Sequence, residues 1–176
     1  RPGLFLTARQ HAGETPGSWA LDGLLRRLAE LGDAAPLTWA VPLVDIDGVE
    51  LGAYGKDRFP YDLNRAWGGP PMRHEALVVQ RDARRWQGRC RPVLGLDFHA
   101  PGPCETAGAY CYLPKPEAFE SLHRHASAWA EAFAAALGPD LAAQDFGRVA
   151  RYASRWETPG FGAWFCQAMS APGATV

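Results

Sequence analysis

Three side chains able to bind a divalent metal stand at a suggestive spacing in this chain. His11 and Glu14 form an H-x-x-E arrangement within Arg9-Gln10-His11-Ala12-Gly13-Glu14-Thr15, and His99 closes Gly95-Leu96-Asp97-Phe98-His99. An imidazole and a carboxylate three residues apart can reach one ion where the backbone turns back between them. Zinc accepts both donor types at roughly 2.0–2.2 Å, and catalytic zinc takes three protein ligands plus a water. His99 is the best candidate for the third. In a chain with five histidines an H-x-x-E pair is a weak signal by itself. His123 and His125, two residues apart, do not share a helix face and read as surface residues.

A second polar group is Asp62-Leu63-Asn64-Arg65-Ala66-Trp67. The Arg65 guanidinium matches a carboxylate in bidentate fashion, with Asn64 able to donate beside it. Asp62 can accept the second ring N–H of a metal-bound histidine and so fix its tautomer. The same segment equally suits a loop salt bridge next to a buried Trp67.

The elements around these residues alternate between strand and helix. Leu4–Ala8 is an apolar run of strand length, as expected for a strand covered on both faces. Thr15 is expected to cap a helix with Pro16 at its first position, and leucines at helical spacing continue to Gly32. Leu37–Val44 reads as a second strand, and Pro42 hints that it lies at an edge or a bulge. A long Gly-, Asp- and Pro-rich loop runs from Asp45 to Pro71, its aromatic residues arguing for order. Residues 73–88 read as an amphipathic helix, Pro92–Phe98 as a third strand and Ala107–Leu113 as a fourth. Phe119 to Leu137 forms a long helix ended by Gly138-Pro139. Gly162 to Met169 reads as a short helix, and Gly173–Val176 as the entry to a strand. This pattern predicts an α/β domain, three-layer α/β/α, with a central mixed and largely parallel sheet. Ligands gather beyond the carboxyl ends of the strands in such sheets. His11 and Glu14 follow the first strand, the long loop follows the second and His99 follows the third, so all arrive at one edge.

Composition narrows the classes. The chain has 176 residues, 47% hydrophobic and 21% charged, which suits one domain, 1–176, with a sizeable core. A net charge of -1 gives no long-range attraction to nucleic acid, and no apolar run reaches the length of a membrane span. No signal peptide is visible, which favours the cytoplasm, although both ends read as trimmed. Cys90, Cys104, Cys111 and Cys166 form no C-x-x-C pair and read as small buried or half-buried thiols.

Four stretches, in order, resemble the zinc metallocarboxypeptidases, with the closer likeness to the cytosolic carboxypeptidase branch and its bacterial relatives. They are His11-Ala12-Gly13-Glu14-Thr15, Asp45-Ile46-Asp47-Gly48-Val49, Asp62-Leu63-Asn64-Arg65 and Asp97-Phe98-His99. The resemblance covers residues 4 to about 100 well. It implies a zinc carboxypeptidase-like fold, with one zinc ion on His11, Glu14 and His99. It implies that Asn64 and Arg65 hold the carboxylate of a peptide or acyl-amino-acid substrate, with Asp62 behind a histidine ligand. It further implies a cation beside the oxyanion, for which Lys56 is the choice and Arg58 the alternate.

The activity implied is a hydrolase, a metallopeptidase cleaving C-terminal peptide or amide bonds with zinc-activated water. Two alternatives share the residues: an N-acyl-amino-acid deacylase of the aspartoacylase and succinylglutamate desuccinylase type, and an inactive carboxylate-binding domain of the same fold. The family's general-base Glu is expected just beyond Val176, with Glu157 as a weak substitute. Asp45-Ile46 where Asn-Pro is commoner, and Ala100 where many members carry Gly or Ser, depart from the family pattern and bear on substrate preference.

Overall fold

The computed structural model describes residues 1–56, 62–70, 73–101, 105–151 and 158–176. Among them six strands form one sheet: β1 (Pro2–Ala8), β2 (Leu37–Val41), β3 (Arg91–Phe98), β4 (Ala109–Leu113), β5 (Ala142–Val149) and β6 (Gly173–Thr175). Their order is β2-β1-β3-β6-β4-β5, parallel throughout except where β4 meets β6 at Tyr112 and Thr175. The expected mixed, largely parallel sheet is therefore present. β2 stops before Pro42 and lies at the edge, where a residue without an N–H costs no ladder bond.

Helices α1 (Thr15–Leu31), α2 (Ile46–Glu50), α3 (His74–Gln87), α4 (Pro116–Leu137) and α5 (Phe161–Met169), with short 3-10 turns at Gly32–Ala34 and Leu63–Arg65, complete the described elements. The strand pleat sends alternate side chains to opposite faces. Phe5 packs with Val79 of α3 and with Trp164 and Phe165 of α5, while Leu6, Leu94, Leu96 and Phe98 pack with Leu21 of α1 and Ala126 and Ala130 of α4. Two cores flank the sheet, which explains why β1 and β3 read as unbroken apolar runs. A Cβ added at Gly95 would fall 2.7 Å from the ring of Phe165, so α5 lies directly on β3. Overpacking of this kind costs about 1–3 kcal/mol. Gly95→Ala is expected to lower the free energy of unfolding by that amount in urea titration, and a loss below about 0.5 kcal/mol would contradict the packing described.

Two expectations need correction. Glu14, not Thr15, occupies the N-cap position of α1, and it makes no side-chain cap bond because its carboxylate points elsewhere. The stretch from Asp45 to Pro71 is not one loop: the Asp45 side chain accepts from Gly48 N–H at 3.1 Å and starts α2, and Leu63–Arg65 forms a 3-10 turn. β5 is an element for which sequence pattern provides no expectation. Cys90 is a half-buried free thiol and Cys111 and Cys166 are buried ones, while Cys104 lies outside the described residues. Among the described residues no helix is long and apolar enough to cross a membrane.

Candidate metal centre

β1 ends at Ala8, and Arg9 then adopts a left-handed backbone (φ 62°) that turns the chain sharply. Its guanidinium Nε donates to the Ala12 carbonyl at 2.8 Å, and Glu14 N–H donates to the His11 carbonyl at 3.1 Å. The tight turn brings His11 and Glu14 to the same side. On the neighbouring strand, β3 delivers His99 one residue past its end. Gly17 in the first turns of α1 allows close approach there, since a Cβ would stand 2.6 Å from the His99 carbonyl oxygen. The two imidazole rings lie with centroids 4.7 Å apart.

The donor atoms converge. His11 Nδ1 is 3.1 Å from His99 Nδ1 and 3.1 Å from Glu14 Oε1, and His99 Nδ1 is 2.6 Å from Glu14 Oε2. The group is nearly excluded from water, with His11 at 5% and Glu14 at 3% exposure. A tetrahedral ion with bonds near 2.0–2.1 Å separates its ligands by about 3.3 Å, close to two of these three spacings. Glu14 Oε1 is buried and has no aligned hydrogen-bond donor, although Lys56 Nζ stands 2.9 Å away. Two Nδ1 atoms facing each other at 3.1 Å cannot both place a proton on that line. This donor set fits a divalent cation, and within the described residues it is the cluster of His, Cys and acidic groups able to hold one.

Both rings are anchored from behind. His11 Nε2 bonds Asp62 Oδ1 at 2.9 Å, and the same oxygen accepts Asn64 N–H at 2.9 Å, so Asp62 both starts the 3-10 turn and steadies the ring. His99 Nε2 bonds Asp97 Oδ2 at 2.6 Å. Burial pulls the His99 imidazole down, but the charges of Asp97 and Glu14 outweigh it and push its pKa up to about 10. Burial likewise opposes the charged form of His11, yet hydrogen bonds to Asp62 and Glu14 hold it above its ordinary value. Burial would raise the Glu14 carboxyl, but hydrogen bonds from both histidines keep it well below the usual carboxylate range.

The remaining expected residues gather at the same cleft, of about 1370 Å³, which His11, Glu14, Lys56, Asn64, Arg65 and His99 help to line. Asn64 accepts Phe161 N–H through Oδ1 at 3.0 Å, which leaves its amide NH2 on the side of His99. Arg65 donates to the Asn64 carbonyl at 2.7 Å while its guanidinium borders the cleft. Lys56 pairs with Glu14 in this structure. Arg58 and Glu157 lie outside the described residues. Sequence pattern assigns no role to Asp97, Gln10 and Thr7, all fully buried and joined in one network. Asp97 had a signal: a charge inside a buried strand needs a partner.

No protein-family model matches the chain. Over 107 residues it is 38% identical to cytosolic carboxypeptidase 6 of Caenorhabditis elegans, a match spanning 55% of this chain and 23% of that protein. The chain thus spans less than a quarter of the length of that curated relative. Its fold matches a metallo-carboxypeptidase from Burkholderia cenocepacia (TM-score 0.73, 22% identity, 99% of this chain and 47% of that one). It also matches a Pseudomonas aeruginosa metallo-carboxypeptidase in complex with (2-guanidinoethylmercapto)succinic acid (TM-score 0.68, 22% identity, 98% and 47%). An aspartoacylase family protein from Mesorhizobium loti has the same fold (TM-score 0.71, 16% identity, 99% and 51%). Sequence likeness to a cytosolic carboxypeptidase and a fold shared with metallo-carboxypeptidases support a zinc carboxypeptidase-like family for this chain.

Proposed function

We propose that this chain is the catalytic domain, or part of it, of a zinc-dependent metallocarboxypeptidase that hydrolyses C-terminal peptide or amide bonds. The observation that carries the reading is the convergence of His11 Nδ1, His99 Nδ1 and the Glu14 carboxylate beside Arg65 and Asn64 at one cleft. His11, Glu14 and His99 are assigned as the ligands of one ion. Zinc, when bound, acidifies water and polarises a carbonyl. Asp62 holds His11 Nε2 and so keeps Nδ1 turned toward Glu14 and His99, where a bound ion would be held. Arg65 and Asn64 hold the terminal carboxylate of the substrate, so the chain is trimmed from its end. Lys56 is assigned as the cation nearest the developing oxyanion, a contribution on the order of 3 kcal/mol.

The general base is proposed to be a Glu shortly after Val176. Val176 N–H donates to the Asp97 carbonyl at 2.9 Å and its carbonyl accepts His99 N–H at 2.8 Å, so β6 runs up beside the proposed ligand. Reading the parent gene tests this: any residue other than Glu just after Val176 would refute it. The cytoplasm is the proposed compartment, in keeping with the cytosolic relative.

A second reading draws on the Mesorhizobium loti structure: deacylation of small acyl-amino acids by the same residues. The deciding experiment is metal analysis of the full-length protein with a screen of C-terminally varied peptides against acyl-amino acids. Turnover of peptides alone supports the carboxypeptidase, and turnover of acyl-amino acids alone supports the deacylase.

Two expected results follow from the local geometry. Outer hydrogen-bond partners of metal ligands are typically worth 10–100-fold in metal affinity, so Asp62→Asn should weaken zinc by about that factor in a chelator competition. An unchanged affinity would contradict its role. The second concerns pH. His99 is raised from 6.5 to about 10, so its proton stabilises the metal-free fold below pH 6.5, and that contribution disappears as pH climbs through about 10. Zinc must displace that proton. Uptake at pH 7 should therefore release at least about one proton per ion, and affinity should rise by about tenfold per pH unit for each proton released. Calorimetry in buffers of different ionisation enthalpy measures the release, and no release would contradict the protonated state described.

A further inference from the structure

Behind His99 runs a chain of buried hydrogen bonds that the reading above does not use. Trp67 Nε1 donates to Gln10 Oε1 at 2.6 Å, Gln10 Nε2 donates to Asp97 Oδ2 at 2.5 Å, and Thr7 Oγ1 donates to Asp97 Oδ1 at 2.8 Å. Thr7, Gln10 and Asp97 are fully buried and Trp67 is 1% exposed. The polarity of this chain is forced from its far end. An indole N–H can only donate, so it requires the carbonyl oxygen of Gln10 and turns the NH2 toward Asp97. Asp97 then receives N–H and O–H bonds and faces His99 Nε2, 2.6 Å away, as an acceptor. The ring answers with Nε2–H, which leaves Nδ1, on the side of His11 and Glu14, as the nitrogen that gives up its proton to take an ion. Trp67 is itself held, through Gln80 Nε2 to its carbonyl at 3.0 Å and by packing on Phe161 and Trp164.

We infer that Gln10 is a positioning residue for the metal centre, relaying the fixed orientation of the Trp67 indole through Asp97 to the tautomer and angle of His99. Gln10 follows β1 and precedes His11, yet it serves the ligand that follows β3. It therefore couples the two strands that carry the two imidazoles. The inference rests on the assignment of His99 as a metal ligand.

The test uses the full-length protein and zinc alone, with cobalt(II) as a spectroscopic substitute. Gln10→Leu keeps bulk and removes both hydrogen bonds, and it should weaken zinc about 10–100-fold and shift the visible cobalt bands. Trp67→Phe keeps an aromatic ring and loses the N–H, and it should produce a smaller fall of several-fold. The double variant should bind zinc no worse than Gln10→Leu, because both changes break one relay. A purely structural role would lower the melting temperature while leaving affinity and cobalt spectrum unchanged, and that result overturns the inference. So do additive losses in the double variant. If Gln10→Leu does not fold, Trp67→Phe decides by the same two readouts. Wild-type protein that takes up no zinc overturns the metal assignment and the relay together, whereas zinc on the wild type with an unaltered Gln10→Leu overturns the relay alone.

Discussion

His99→Ala should abolish stoichiometric zinc binding and, with it, turnover. Zinc sites with four protein ligands hold their ion with roughly 10–16 kcal/mol, or about 3 kcal/mol for each ligand when divided evenly. Removing one of three ligands therefore costs more than about a hundredfold in affinity. The change also removes the group lying between Glu14 and Asp97, leaving Glu14 with His11, Lys56 and the Ala100 N–H for partners. Circular dichroism separates loss of the ion from loss of the fold. A folded His99→Ala protein that still carries about one zinc per chain would show that the ion sits elsewhere.

Arg65→Ala should have the second largest effect, and on a different parameter. A charge-assisted contact between a guanidinium and a carboxylate, once truncated, costs about 2–4 kcal/mol, which corresponds to roughly 30- to several-hundred-fold. Because the contact is made to the end of the substrate rather than to the reacting bond, KM should rise by that factor while kcat changes little. Peptides ending in an amide should lose the distinction, being equally poor for wild type and variant. Unchanged KM for carboxylate-ended peptides would remove the basis for an exopeptidase.

The sequence made the centre legible because its residues sit where strands end. His11 and His99 follow two apolar runs, and parallel strands side by side bring their carboxyl ends together, here with β1 and β3 paired from Pro2–Arg91 to Ala8–Phe98. Asp62 was readable for a similar reason, since its motif ties a turn to a histidine. Gln10 and Trp67 were not, because their meeting depends on a bond across 57 positions that no local pattern encodes. β5 was hidden by its own composition: Ala142-Ala143-Gln144-Asp145-Phe146-Gly147-Arg148-Val149 buries only Ala143 and Phe146 and lacks an apolar run. α2 was hidden because it is five residues long with Ile46 exposed, and it starts from the Asp45 side chain rather than from periodic packing. The N-cap of α1 misled because a Thr-Pro pair follows a Glu whose carboxylate is engaged by His11 and His99.

In the proposed centre two imidazoles and one carboxylate, delivered from the ends of β1 and β3, hold a single ion. Anomalous diffraction at the zinc absorption edge, from crystals of the zinc-loaded full-length protein, measures this without reference to activity. One strong peak is expected about 2.0–2.2 Å from His11 Nδ1, His99 Nδ1 and a Glu14 oxygen. A strong peak on other residues, or none between these three, would contradict it.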